Sequence, residues 1–261
     1  MRISNGAQKV VDREALSLYL DKLLSCADYK DYAPNGLQIE GRSKIERICT
    51  AVTASQDVIK EAVASGAHAL IVHHGYFWKG ESPQITGMKR QRVAQLLDNQ
   101  MSLFAYHLPL DCHLELGNNA CLARLLDIKK IKSFPVSKTP NLLWTGSLEK
   151  PLPLDDFSDV LSRKLNRKPL SICGSNKIIR TIAWCSGGAQ DYIDEANQLG
   201  VDAYFSGEVS ERTYYQAKEL GIHYLACGHH ATERYGVQAL GHHLEEAFAL
   251  DCSFIDTDNP V

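Results

Sequence analysis

Six of the ten histidines in this 261-residue chain fall in three short clusters: His73-His74, His107 with His113, and His229-His230. Carboxylates lie beside them at Asp111, Glu115, Glu208 and Glu233. Imidazole and carboxylate together form the ligand set of Zn, Mn, Fe, Co or Ni and need no thiolate. A carboxylate shared between two ions about 3.5–4 Å apart is the arrangement of two-metal hydrolysis. His229 and Glu233 have the i, i+4 spacing that puts two side chains on one face of a helix. His73 and His74 are neighbours, and neighbours in a strand point to opposite faces. At a strand end that turns at Gly75 both can reach one cleft, one imidazole for each ion.

The strongest ligand candidates are therefore His73, His74, Asp111, His229 and Glu233, expected to hold two divalent ions whose identity the donor types leave open. His107 and Glu208, close to the cluster in sequence, are the candidates for moving protons, and His107 could instead orient a ligand. His68, His223, His242 and His243 stand apart and read as hydrogen-bonded structural residues. His113 and His230 read the same way, less firmly. Pro109 predicts a turn for His107-Leu-Pro-Leu-Asp111.

The elements that must position these residues repeat. IERICTAVTASQDVIKEAVASGAHALIVHHG (45–75) and IIRTIAWCSGGAQDYIDEANQLGVDAYFSGE (178–208) align without a gap at an offset of 134, Ile45 opposite Ile179. They share Gln56/Gln190, Asp57/Asp191, Ile59/Ile193, Glu61/Glu195, Ala62/Ala196, Gly66/Gly200 and Ala69/Ala203. Each reads as strand, tight turn, helix, glycine C-cap and second strand, a β-α-β unit with a right-handed crossover. Each continues through a further helix (92–99; 211–220) into a third strand, followed by His107-x3-Asp111 or His229-x3-Glu233. Ligands bind at the carboxyl ends of strands in open α/β sheets. Two such half-sites face to face would form one polar pocket.

The expected fold is thus α/β, with two similar domains from an internal duplication and a dinuclear metal site in the cleft between them. The first domain comprises 1–111 with 229–261, the second 112–228. Helices are expected at 12–25 (Asp12 as N-cap; Leu16, Tyr19, Leu20 and Leu23 inward), 119–126, 155–165 and 233–249. Strands are expected at 142–148 and 252–256.

Composition excludes several classes. With 28 basic and 31 acidic residues, a formal charge of −3 and 44% hydrophobic content, the chain is neither disordered nor broadly basic. No apolar run approaches the roughly 20 residues of a bilayer span, and the N-terminal stretch lacks the apolar core of a secretory leader. The eight cysteines form no C-x2-C pair and sit mostly in apolar runs, so reduced, buried thiols in a cytoplasmic protein are expected. There is no G-x4-G-K-S/T and no G-x-G-x2-G. Ser186-Gly187-Gly188-Ala189, before a helix, could present amides to a phosphate but reads first as a tight turn. Tyr76-Phe77-Trp78-Lys79, after the double histidine, could line a mouth, stack a base or fill a subunit contact.

DYAPNGLQIEG, IVHHGYFWKG, YHLPLDCHLELGNNA, FSGE and GHHATE together resemble the Nif-three-like family, most closely its bacterial YbgI-like members, labelled GTP cyclohydrolase 1 type 2. The likeness runs over nearly the whole chain and departs at no ligand position. By motif match it implies a dinuclear centre on His73, His74, Asp111, His229 and Glu233. It also implies two α/β domains and a toroidal homohexamer. The label implies a metal-activated hydroxide attacking a purine at C8, opening the imidazole ring and releasing formate. Nothing in the residues specifies guanine. Three functions stay open: a hydrolase of a nucleotide such as GTP, a hydrolase of another phosphoester or amide, and a non-catalytic metal-containing ring that binds DNA or protein. The even charge balance counts weakly against the last.

Overall fold

The computed structural model describes residues 10–176 and 178–261. The first nine residues, part of the stretch in which no secretory leader is read, lie outside the described residues. The fold is mixed α/β. The chain divides into two compact units, one running to Leu110 and resuming over Val237–Thr257, the other comprising Asp111–Gly236 and Asp258–Val261. The first two joins fall within helices, Leu108–Cys112 and His229–Phe248, and the third follows Thr257. The sequence places the first two after residues 111 and 228 instead. Asp111, His229 and Glu233 consequently all belong to the second unit.

The first unit is built on a sheet ordered Asp251–Phe254, Arg47–Thr53, Ala69–His74, Ser102–Ala105, Gly36–Ile39, parallel except for the last strand. The strands RICTAVT and ALIVHH are almost wholly buried, as continuous apolar strands of a parallel sheet must be. Helix Gln56–Ala64 makes the first crossover. Ser55 caps it by accepting from the Val58 amide at 3.3 Å, and Val58, Ile59 and Ala62 face the core. Helix Gly87–Asp98 makes the second, with Val93 and Leu96 inward. Val72 pairs with Ala105 across the parallel strands, so the chain leaves both at the same sheet edge. That register sets His73-His74 beside Tyr106-His107.

The second unit carries a sheet ordered Lys129–Val136, Thr139–Leu152, Ile179–Trp184, Ala203–Ser206, His223–Ala226, Leu170–Ile172. Its middle three strands are parallel and the flanking pairings antiparallel. Trp184 pairs with Phe205, and Ser206 with Ala226. Three strand ends therefore open together into Ser186-Gly187, Gly207-Glu208 and Gly228-His229. Behind them pack Trp144, Trp184, Phe205 and Phe157. Each unit thus repeats strand–helix–strand–helix–strand. Gly66 and Gly200, at φ 74° and 71°, occupy the left-handed conformation the C-cap requires.

Several local expectations shift. The first helix is Arg13–Leu23, and Leu16, Leu20 and Leu24 are the residues fully withdrawn from solvent. Asp12 occupies the N-cap position without a capping bond, because its carboxylate pairs with Lys44 at 2.8 Å. Tyr19 is partly exposed and its hydroxyl meets His243 Nε2 at 2.7 Å. Leu108–Cys112 is a short helix and not the turn Pro109 suggested: proline in a first turn gives up an amide that has no intrahelical acceptor. The last long helix begins at His229, four residues before the expected start, and the 142–148 strand extends over Thr139–Leu152 because it pairs on both sides. All eight cysteines are free thiols, though Cys173 is exposed. Among the described residues no helix is long and apolar enough to cross a membrane.

Candidate metal centre

In the first unit His73, His74 and His107 converge, with one ring nitrogen of each inside a sphere of contacts no wider than 4.8 Å. Their other nitrogens are engaged. His73 is fully buried, and its Nδ1 lies 2.9 Å from the backbone carbonyl of Tyr106. A carbonyl only accepts, so Nδ1 carries the proton and Nε2 presents a lone pair. His74 Nδ1 lies 3.2 Å from Thr53 Oγ1. His107 Nδ1 meets Asp31 Oδ1 at 2.7 Å. Carboxylate, imidazole and an outward lone pair are the outer support that metal-binding histidines recurrently show.

Asp31 is a well-built acceptor. Its side chain is 3% exposed. Oδ2 accepts from Asn35 Nδ2 and from the Leu108 amide, both at 2.9 Å, and Oδ1 accepts from the Tyr32 amide at 2.6 Å. Burial alone would raise its pKa, but the hydrogen bond and charge of His107 bring it down to about 2. Asn35 Oδ1 in turn accepts from the His107 amide at 2.8 Å. Sequence reasoning gave Asp31 and Asn35 no role. The available signal was D-x3-N around Pro34, two polar residues spaced to fold back on one turn. Trp78 stands beside this cluster, its ring 5.0 Å from that of His107 and 5.9 Å from that of His74. Its Nε1 donates to the Gly75 carbonyl at 3.2 Å.

The second unit gathers the remaining donors. Because the helix starts at His229, His229 and Glu233 face the same way, with Nε2 and Oε2 3.2 Å apart. Glu208 Oε1 lies 2.6 Å from His229 Nδ1. Burial disfavours the imidazolium, but Glu233 and then Glu208 outweigh it and raise the His229 pKa to about 9. Glu208, read from sequence as a proton carrier, is placed where it orients His229. Its own loop is held by hydroxyls of Ser206 and Tyr224 on the Glu208 carbonyl.

Asp111 is buried, and its Oδ1 accepts from Asn118 Nδ2 at 2.9 Å and Ser186 Oγ at 2.8 Å. The Ser186 amide donates to Asn119 Oδ1 and the Gly187 amide to Thr232 Oγ1. The Ser186–Ala189 turn thus spends its first amides internally and orients Asp111. Gly187 is required on two counts. Its φ is 65°, and a Cβ there would fall 2.1 Å from Glu233 Oε1 and 3.1 Å from His229 Nε2. Clearance in front of these donor atoms is what an ion between them needs. The donor chemistry fits too: imidazoles whose other nitrogen is held by an oxygen, beside buried carboxylates, suit a divalent transition ion, which would displace the His229 proton on binding.

Three of the four solitary histidines show the expected side-chain hydrogen bonds, His243 through Tyr19. His68 Nδ1 accepts from the Glu46 amide, and His242 pairs with Glu245. His113 Nδ1 caps the Glu115 and Leu116 amides, which takes that nitrogen away from a metal. His230 lies one position off the His229–Glu233 face, and its amide donates to the Val261 carbonyl.

The chain is 50% identical over 252 residues to a GTP cyclohydrolase 1 type 2 homolog of Allochromatium vinosum, covering 97% of this chain and 98% of that one. It is 49% identical over 248 residues to the protein of that name in Escherichia coli strain K12, covering 94% and 98%. Among solved structures, a structural-genomics ybgI protein of unknown function superposes with a TM-score of 0.92 at 47% identity, covering 96% and 100%. A Thermus thermophilus protein follows with a TM-score of 0.88 at 32% identity and the same coverage. The model of the Duf34/NIF3 family (NGG1p interacting factor 3) matches residues 11–260, and the chain belongs to that family.

Proposed function

We propose that this protein is a dinuclear-metal-dependent hydrolase that opens a purine ring in the manner its relatives' name describes, with GTP as the first substrate to test. The observation that carries the reading is the convergence of His73, His74 and His107, each with its other nitrogen bonded to an oxygen. In this reading His73, His74, Asp111, His229 and Glu233 hold two divalent ions, and the two units descend from one duplicated β-α-β ancestor. Bound there, the ions supply an acidified water and polarise the carbon under attack.

The chain's own residues do the rest. Asp31 stays ionised and keeps the proton of His107 on Nδ1, so Nε2 is the atom that takes a proton from the nucleophile or returns it to the departing nitrogen. Glu208 keeps His229 turned toward Glu233. Ser186 and Asn118 keep Asp111 from rotating. Trp78 lines the approach to His74 and His107 and limits water there. The toroidal hexamer remains part of the proposal and rests on family resemblance.

The test is direct. Metal-reconstituted protein is incubated with GTP, and formate and the ring-opened product are sought by mass spectrometry beside an Asp111→Asn protein. Formate from the wild type alone is the expected result. No product from protein carrying two ions per chain would overturn the purine-opening reading.

A further inference from the structure

The second unit contains a cleft of about 480 Å³ whose lining includes Arg167, Lys168, Gly207, Glu208 and Val209. That volume lies within the range of small-molecule sites. Arg167 has a buried Nε, as do Arg13 and Arg92, and of the three it is the one that lines this cleft. Its Nη1 donates to the Pro260 carbonyl, but its Nε is buried with no hydrogen-bond partner among the described residues. No carboxylate lies within ion-pair distance of Arg167 or of Lys168 among the described residues.

The guanidinium is also placed with care. Gly228, at φ 97°, leaves room for it: a Cβ there would sit 2.3 Å from Arg167 Nε. Gly228 immediately precedes His229. Glu208, on the same cleft, turns its carboxylate to His229 Nδ1 at 2.6 Å. The cleft therefore reaches from two uncompensated cations to the residue that orients a metal-ligand candidate. A guanidinium fork beside an ammonium matches a phosphate group in charge and geometry.

We propose that this cleft is an anion subsite in which Arg167 and Lys168 hold a phosphate group of the substrate. The proposal rests on the hydrolase reading and narrows its substrate to a phosphorylated small molecule. The phosphate anchors one end of the molecule in the cleft while the group to be cleaved lies toward His229 and Glu233.

Calorimetric titration of the metal-loaded chain tests this with guanosine 5′-monophosphate, guanosine and inorganic phosphate as probes. Arg167→Gln and Lys168→Glu serve as variants, the second at an exposed position that does not threaten folding. The monophosphate should bind tighter than guanosine and weaken as salt is raised. Each variant should weaken the monophosphate and inorganic phosphate by about tenfold, leaving guanosine and metal content unchanged. Equal binding of the monophosphate and guanosine, or phosphate binding untouched by both variants, would overturn the subsite. Variant-sensitive phosphate binding without formate release supports the cleft while the purine-opening reading fails. Purine opening with a KM unmoved by either variant leaves that reading in place and removes the cleft from it.

Discussion

His107 Nδ1 lies 2.7 Å from Asp31 Oδ1, and every oxygen lone pair Asp31 offers is directed by a second donor: Asn35, the Leu108 amide or the Tyr32 amide. These donors hold the carboxylate independently of His107, so its role is to fix the imidazole's tautomer and orientation. Asp31→Asn keeps the size and an acceptor oxygen but loses the charge. Partners of this kind contribute about 10–100-fold to metal affinity or activity. The variant should fold, as measured by circular dichroism, keep its metal in a chelator competition, and lose activity in that range. Unchanged activity would reduce Asp31 to a structural role.

Gly187 tests the donor geometry from the other side. Gly187→Ala places a methyl 2.1 Å from Glu233 Oε1 on a backbone at φ 65°. Left-handed strain on a non-glycine residue costs about 1–3 kcal/mol, and Glu233 must also move. Thermal melts should show a lower Tm, and the purified protein should carry less metal than wild type. A variant with normal metal content would show that Glu233 does not need its present position.

Much of this was legible in the sequence because parallel strands announce themselves. The runs RICTAVT and ALIVHH, the glycine after each helix, and the shared Gln-Asp-x-Ile-x-Glu-Ala stretch specified two strand–helix–strand units and the strand ends that carry His73, His74 and His229. The misreadings were local contests between equal physical preferences. Pro109 is compatible with a turn and with a first helical turn. The start of the His229 helix has no strong N-cap residue to mark it, since Gly228 precedes it. Asp31 was hidden for another reason: its partner is 76 residues away, and no local pattern reports a long-range hydrogen bond.

The thiols and the carboxylates make opposite predictions. Glu233→Gln replaces an anionic donor with a neutral amide, so metal content should fall. Cys227 is wholly buried, and burial pushes its thiol far above the ordinary range, which keeps it protonated and a poor ligand. Cys227→Ser and Cys112→Ser should therefore retain full metal content per folded chain by plasma emission analysis. Metal loss in either serine variant would place a thiolate in the centre.

His229 sits between Glu208 and Glu233 with a pKa raised from 6.5 to about 9, so pH should act in opposite directions on the metal-free and metal-bound chain. In the metal-free chain the imidazolium is stabilised by the fold. That contribution is fully present below pH 6.5 and disappears as pH rises through about 9. An ion at Nε2 must displace this proton. Apparent metal affinity should therefore rise with pH across the same window, by at most about tenfold per unit, and level off above 9. Glu208→Gln removes one of the two carboxylates that hold the proton, so both curves should shift to lower pH. Melting temperatures of stripped protein and competition titrations of loaded protein, each from pH 6 to 10, check the pair. Parallel curves for the two forms would remove His229 from the metal centre, and a Glu208→Gln protein that titrates like wild type would remove Glu208 as a holder of its proton.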